Sequence, residues 1–210
     1  MKRKLIILLT ALLPLVAFGQ TKLNAKQQAQ VLQKIDRTAA AMKSMQCSFT
    51  QTKSMKMLSK EMVSKGVMYF KTPNKLRWQY TFPYNYTFLM NGDKVRMVSG
   101  QTTQNVDVKR NKIFRQITNI ILNSITGGNL SKTADFSVVL YKDGSTYYAQ
   151  LYPKKKELKQ IYKYIRIHFN ASLTMVTKME MVEKTGDTTT VKLLNVKTNQ
   201  SINESFFAIR

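Results

Sequence analysis

From Met62 to Val196 the chain is written mostly in short runs of period two, each closed by a turn signal, and this spacing constrains the fold more than any other feature. Met62 to Lys71, Lys75 to Phe82 and Tyr86 to Met90 are rich in aromatic and β-branched residues, as strands are. Pro73, Pro83 and Asn91-Gly92 break them, and Asn91-Gly92 is a hairpin signal with Val95 to Ser99 as the return strand. A more polar run, Gln101 to Val108, follows. Strands resume at Phe136 to Lys142, Thr146 to Tyr152, Ile161 to Phe169, Thr174 to Val182, Thr188 to Val196 and near Phe206. Their turns are Asp143-Gly144, Asn170-Ala171-Ser172 and Thr185-Gly186-Asp187. Spacing this regular predicts neighbouring antiparallel strands in one large meander.

Two segments carry a helical period instead. Asn24 to Gln46 opens on a good N-cap with Gln27 three residues on, and Val31, Ile35, Ala39 and Met42 form one apolar stripe. Lys112 to Thr126 repeats Ile113, Ile117, Ile121 and Ile125 every fourth residue and ends at Gly127-Gly128, a C-cap signal. A long antiparallel sheet must curl or split. The expected fold is therefore α+β, mainly β: a single curved antiparallel sheet forming a half-open, incompletely closed β-barrel with α-helices packed into its mouth, a shape that can hold an apolar cavity.

The N-terminus reads as a secretory leader. Met1-Lys2-Arg3-Lys4 is cationic, Leu5 to Val16 is apolar except for Thr10 and Pro14, and Ala17-Phe18-Gly19 has the small residues that a signal peptidase reads. The apolar run is 12 residues long, and a membrane-spanning helix needs about 20. Residues 1–19 are thus the expected leader and 20–210 the expected single domain, exported to the periplasm. No Cys stands at the cleavage site, so no lipid anchor is expected there. The one cysteine, Cys47, cannot form an internal disulfide, and packing must hold the fold.

The formal net charge is +23, and the leader carries three of those charges, which leaves +20. Export argues against nucleic acid as the partner. Apart from Lys154-Lys155-Lys156 the basic residues are scattered. A solvated basic face and attraction to anionic membrane lipids, or to an acidic partner at a membrane, both account for this charge.

No catalytic set is legible. His168 and Cys47 are each the only residue of their type, too few for the usual zinc sites, and Cys47 has no nucleophile signature around it. The eleven carboxylates are scattered, and no Gly-rich loop forms a phosphate cradle. The expectation is a binding protein without catalysis, metal or cofactor. The apolar side chains are more informative. Met68 and Phe70 share one strand face; Leu76, Trp78 and Tyr80 share another; Phe88 and Met90 alternate on the next strand. Ile117 and Ile121 share a helix face, and Met175, Met179 and Met181 a later strand face. Ordinary core filling and an adaptable lipid-binding wall both fit these residues.

The stretch from Gly66 carries a resemblance. Gly66, Pro73, Trp78, Pro83 and Asn91-Gly92 stand at the spacings found in the periplasmic outer-membrane lipoprotein carrier family, LolA, which this chain resembles over nearly its whole mature length. Phe49-Thr50-Gln51 is similar to the family's Phe-x-Gln, Leu151-Tyr152-Pro153-Lys154 to its Leu-x-Pro-Lys, and Phe206-Phe207 lies near its final Phe-rich strand. The resemblance implies a half-open barrel with a helical lid, whose cavity receives lipoprotein acyl chains. It implies an inner-membrane lipoprotein-releasing ABC transporter as donor, an outer-membrane acceptor where one exists, and a monomeric carrier. Two departures stand out. Well-studied members have an Arg before the first Pro that ties the lid shut; here the position is Thr72, and Arg77 is the candidate substitute. The chain also stops at Arg210, with little of the tail some members carry. Both leave room for a LolA-like protein that binds or senses a different lipid or glycolipid.

Overall fold

The computed structural model describes residues 19–58, 60–110 and 112–209, without the side chains of 112–114, 116 and 117. The expected leader, apart from Gly19, lies outside the described residues. In chain order the elements are β1 (Thr21–Lys22), α1 (Ala25–Ala41), β2 (Ser44–Ser54), β3 (Met62–Lys71), β4 (Lys75–Phe82), β5 (Tyr86–Asn91), β6 (Lys94–Ser99) and β7 (Thr102–Asp107). Then follow α2 (Lys112–Thr126), β8 (Phe136–Asp143), β9 (Thr146–Pro153), α3 (Lys156–Ile161), β10 (Tyr162–Phe169), β11 (Val176–Glu183), β12 (Thr188–Thr198) and a 3-10 turn, Glu204–Phe207. Among the described residues no helix is long and apolar enough to cross a membrane.

All twelve strands form one antiparallel sheet in the order β1-β8-β9-β10-β11-β12-β2-β3-β4-β5-β6-β7. The expected half-open architecture is what the chain adopts: β1 and β7 are the two edges and do not pair with each other. The single meander is corrected to two. The β7–β8 connection carries α2 and cannot be a hairpin, so β8 starts a second meander. The two halves join where β12 returns to β2, with Val191 opposite Gln51 and Leu193 opposite Phe49.

Alternation dictates which side chains turn inward. On β3, Met68 and Phe70 are buried while Val67 and Tyr69 are less so; on β4, Leu76 and Trp78 are buried. With Met45 and Phe49 of β2, Leu140 of β8 and Ile165 and Ile167 of β10 they make one core on the concave face, which Ile35 of α1 completes. Each such side chain contributes roughly 1.5–3 kcal/mol through burial. The β3–β4 pair approaches closely at Gly66, where a Cβ would lie 2.0 Å from the Gln79 carbonyl oxygen and 2.7 Å from the Phe49 ring.

The capping box is present as expected: Asn24 Oδ1 accepts from the Gln27 N–H at 2.9 Å, and Gln27 Oε1 accepts from the Asn24 N–H at 3.0 Å. The helix stops at Ala41, however, rather than running to Gln46. Lys43 N–H donates to Asn199 Oδ1 at 2.8 Å, the Lys43 carbonyl accepts from Thr72 N–H at 3.0 Å, and Ser44 Oγ donates to the Gln200 carbonyl at 2.6 Å. Sheet partners thus claim the backbone before the apolar stripe ends. At the end of α2, Gly127 has φ +70°, and a Cβ there would meet the Phe169 ring at 2.5 Å.

Phe206-Phe207 forms no strand. Strands β3 to β5 already have partners along both edges, so the last segment lies over their convex face instead. Glu204 bridges Lys71 and Lys75 at 2.7 and 2.6 Å, Asn91 Nδ2 donates to the Phe207 carbonyl at 3.1 Å, and the Phe206 ring meets Tyr69 at 4.8 Å. The convex face of β9 to β11 carries its own polar network. Glu180 accepts from Lys178 Nζ at 2.7 Å and lies 2.9 Å from His168 Nε2, with Arg166 over the Tyr164 ring at 4.8 Å.

Candidate functional site

A cavity of about 290 Å³ lies between α2 and the concave face of the sheet. Trp78 and Tyr80 of β4 and Tyr86 and Phe88 of β5 form one wall. Tyr162 and Ile165 of β10 with Met179 and Met181 of β11 form the other, and Gln51 and Val191 the floor between them. Ile120, Ile121 and Ser124 of α2 are the roof. Among the described residues no ionisable group other than tyrosine lines it. Aromatic packing stiffens the first wall: the Phe49 ring sits 4.8 Å from Trp78 and 5.1 Å, edge-on, from Tyr80.

Polar atoms here are few. Tyr80 donates its hydroxyl hydrogen to Gln51 Oε1 at 2.9 Å. Burial pushes the Tyr80 hydroxyl up to about 12, Tyr84 adds to the rise, and Trp78 and Gln51 pull against it. The Trp78 indole N–H is buried and makes no hydrogen bond of good geometry. An arrangement this apolar can dehydrate and hold hydrocarbon at little loss of polar hydration. Among the described residues no group of three or more His, Cys, Asp or Glu side chains converges as a metal site would require. Burial pushes the Cys47 thiol up to about 12, which keeps it protonated and unreactive at neutral pH.

The structure divides the residues expected at an acyl-chain cavity. Trp78, Tyr80, Phe88, Ile121 and Met179 come together on its walls. Met68, Leu76 and Met90 are buried in the packed core beyond it, and Phe70 lines a neighbouring groove between α1 and α2. The Ile117 side chain lies outside the described residues. Met175 precedes β11 in the turn and is displaced from the face of Met179. A β-bulge sets Phe169 opposite Val176 but His168 opposite Lys178, so Val176, not Met175, points inward.

Among the described residues, neither expected lid-closing side chain bonds to α2. Thr72 is exposed, and its hydroxyl donates to the Lys43 carbonyl at 3.2 Å, at the α1–β2 junction. Arg77 follows an inward Leu76 and therefore faces out, where it donates to Gln79 Oε1 at 3.1 Å and to the Phe206 carbonyl at 3.4 Å. The cavity also uses residues that sequence reasoning missed. Tyr162 and Ile165 differ in parity and share a wall only because a second bulge intervenes at Lys163. Gln51 was visible as the last residue of Phe49-Thr50-Gln51, but nothing local marked it as cavity floor.

Comparison with known proteins supplies the family. The sequence profile described as "Outer membrane lipoprotein carrier protein LolA" matches residues 40–210. An outer-membrane lipoprotein carrier protein of Pseudomonas paraeruginosa is 24% identical over 143 residues, covering 68% of this chain and 65% of that protein. One from Neisseria gonorrhoeae is 29% identical over 169 residues, covering 76% of this chain and 73% of that one. Among solved structures, the complex of Pseudomonas aeruginosa MucA and MucB has a similar fold, with TM-score 0.50 and 10% identity over 88% of this chain and 61% of the other. An uncharacterized conserved protein of Thermus thermophilus gives TM-score 0.51 and 6% identity over 86% and 92% of the two chains. The profile spans most of the chain, α2 and every strand but β1 included, and on that match this protein belongs to the LolA family of outer membrane lipoprotein carrier proteins.

Proposed function

We propose that residues 20–210 form a periplasmic carrier, delivered by the leader at 1–19, that shelters the acyl chains of lipoproteins under α2 and moves them from the inner to the outer membrane. The observation that carries this reading is the cavity itself: apolar walls from both meanders, a helical roof and no charged side chain among the described lining residues. Shielding a 16-carbon chain from water is worth roughly 10 kcal/mol at about 0.8 kcal/mol per CH2. At about 290 Å³ the cavity stands at the small end of ligand pockets, which run to roughly 300–1,000 Å³. Loading more than one chain therefore requires α2 to move off the sheet. The donor in this reading is an inner-membrane lipoprotein-releasing ABC transporter, and the carrier works as a monomer.

The test is mass spectrometry of whatever co-purifies with the chain from the periplasm, followed by transfer of a fluorescent triacylated peptide to acceptor membranes. Recovery of triacylated peptide supports the proposal. Recovery of only a glycolipid or another lipid replaces lipoprotein as the cargo, and an empty cavity that binds no acyl probe ends the carrier reading.

A further inference from the structure

The register places the mouth of the cavity. Ser54 pairs with Thr188, Lys53 with Met62, Tyr80 with Tyr86 and Tyr162 with Glu183. Residues 55–58, 60 and 61 of the β2–β3 connection, the connections 83–85 and 184–187, and α3 leading into β10 consequently gather at one end of the sheet. Gln51, Tyr80, Tyr86, Tyr162 and Met181 line the cavity close to those same strand ends, so it opens there.

Exposed apolar side chains collect around this opening. Met57 is 96% exposed and Leu58 51%, both at the tip of the β2–β3 connection. Met62, Phe82, Tyr84 and Ile161, from β3, β4, the β4–β5 connection and α3, are exposed beside them. Scattered exposed apolar residues need no explanation, but a ring of them around a mouth marks an interaction surface. Two of the four gathered segments are cationic, whereas 83–85 is uncharged and 184–187 sets Lys184 against Asp187. Lys53, Lys56, Lys60 and Lys65 stand against Glu61 alone, and Lys154, Lys155, Lys156, Lys159 and Lys163 against Glu157. Of these, Lys155 is paired, with Asp135 at 2.5 Å.

We propose that this end of the barrel docks directly on an anionic phospholipid surface, with Met57 and Leu58 entering the headgroup layer and the surrounding lysines meeting lipid phosphates. Apolar tips interleaved with lysines are the pattern of interfacial binding, in which hydrocarbon burial and attraction to anionic lipid act together. An acidic protein would satisfy the lysines but not the apolar tips. A partner that reaches four separate connections around one mouth is an extended surface. Docking there would set the cavity against the bilayer, so that acyl chains could pass without crossing water. The inference rests on the cavity being a lipid site, and the experiment separates the two.

The mature chain is floated with vesicles of phosphatidylethanolamine and phosphatidylglycerol, and with vesicles of phosphatidylcholine alone. In parallel, binding of a fluorescent acyl probe and the melting temperature are measured. Wild type should float with the anionic vesicles, weakly with the neutral ones, and less at high salt. Met57→Asp with Leu58→Asp should lower vesicle binding by about tenfold or more while melting and acyl-probe binding stay unchanged. Wild type that ignores anionic vesicles overturns the proposal, including the case in which only an acidic protein engages this end. So does a double variant that floats like wild type, since adsorption is then electrostatic alone. Loss of acyl-probe binding in wild type would instead strike the carrier reading, and the flotation result would still judge the docking surface by itself.

Discussion

Two hollows flank α2, and they differ in chemistry more than in form. On one side lies the cavity of about 290 Å³, walled by aromatic rings, Ile and Met. On the other is a groove of about 540 Å³ between α1 and α2, lined by Asp36, Asn74, Asn119, Asn123, Thr126 and Lys132 beside Phe70 and Leu122. Asp36 bonds Ser131 through one carboxylate oxygen while the other is buried without a partner. The larger hollow is the poorer site for hydrocarbon. Filling it would strip water from amides and charges, whereas filling the smaller one strips water mainly from apolar surface. Volume does not decide which hollow suits hydrocarbon better; the amphipathic face of α2 does.

The strongest way to break this contrast is to attack the wall of the apolar cavity. In Gly66→Ala the added methyl meets the Gln79 carbonyl and the Phe49 ring that supports Trp78 and Tyr80. Backbone cannot yield as a side-chain end can, so denaturant unfolding should show a loss of about 3–5 kcal/mol. Asn119→Ala in the groove should stay within about 0.5 kcal/mol of wild type. Comparable losses in the two variants would mean that the hollows are mechanically alike.

A smaller effect is expected behind the opposite wall, where Glu180 backs Met179 and Met181 on the convex face. The hydrogen bond from His168, outweighing burial and joined by Lys178, holds this carboxyl down at about 2 against an ordinary value of 4.5. A depressed carboxylate stabilises the fold above its unfolded value and loses that stabilisation as pH falls from about 4.5 towards 2. Solvent screening of a carboxyl this exposed leaves a contribution on the order of 1–2 kcal/mol. Glu180→Gln should remove it at neutral pH and flatten the stability profile through that window, with acyl affinity per folded molecule unchanged. An unaltered acid profile would show that other carboxylates govern acid unfolding.

Ile121→Asn sharpens the contrast directly. In a wall that is wetted when empty the amide keeps its water, so stability should fall by about 1 kcal/mol or less. Affinity for a fluorescent fatty acid should fall by about tenfold, because the amide must be dehydrated as the chain enters. Asn123→Ala, on the groove side, should leave that affinity alone. Large destabilisation of Ile121→Asn with affinity intact would make the roof of the cavity a closed core. The least effect belongs to Thr72→Arg. Thr72 is exposed and bonds the Lys43 carbonyl rather than α2, so stability should change by less than about 0.5 kcal/mol and acyl-probe release should keep its rate. Slower release would show that an Arg at this position can still reach the helix.

Local chemistry made much of this legible in advance. Asn24 and Gln27 cap α1 because their side chains reach backbone three residues away, and Gly127 ends α2 in the left-handed conformation its residue type favours. Period two assigned the inward faces of β3 and β4 because their pairing runs unbroken from Gly66 to Lys75. Where a bulge intervenes the parity rule inverts: it displaced Met175 and admitted Tyr162, and nothing in either side chain announces the extra residue.

What the sequence by itself determined was most of the strands and their turns, the amphipathic α2 and the family, all carried by residues a few positions apart. α3, the 3-10 turn at Phe206 and the early stop of α1 were decided elsewhere, by which strand edges were already paired and which backbone groups the sheet claimed. The division of the apolar residues into packed core and open cavity was also tertiary. Leu76 and Trp78 have the same parity on the same strand, yet one is sealed in the core and the other lines the cavity. Only the line along which α2 crosses the sheet separates them. Contacts between α2 and β11 help to set that line, and they join segments distant in the chain, whose meeting depends on the curvature of the whole sheet.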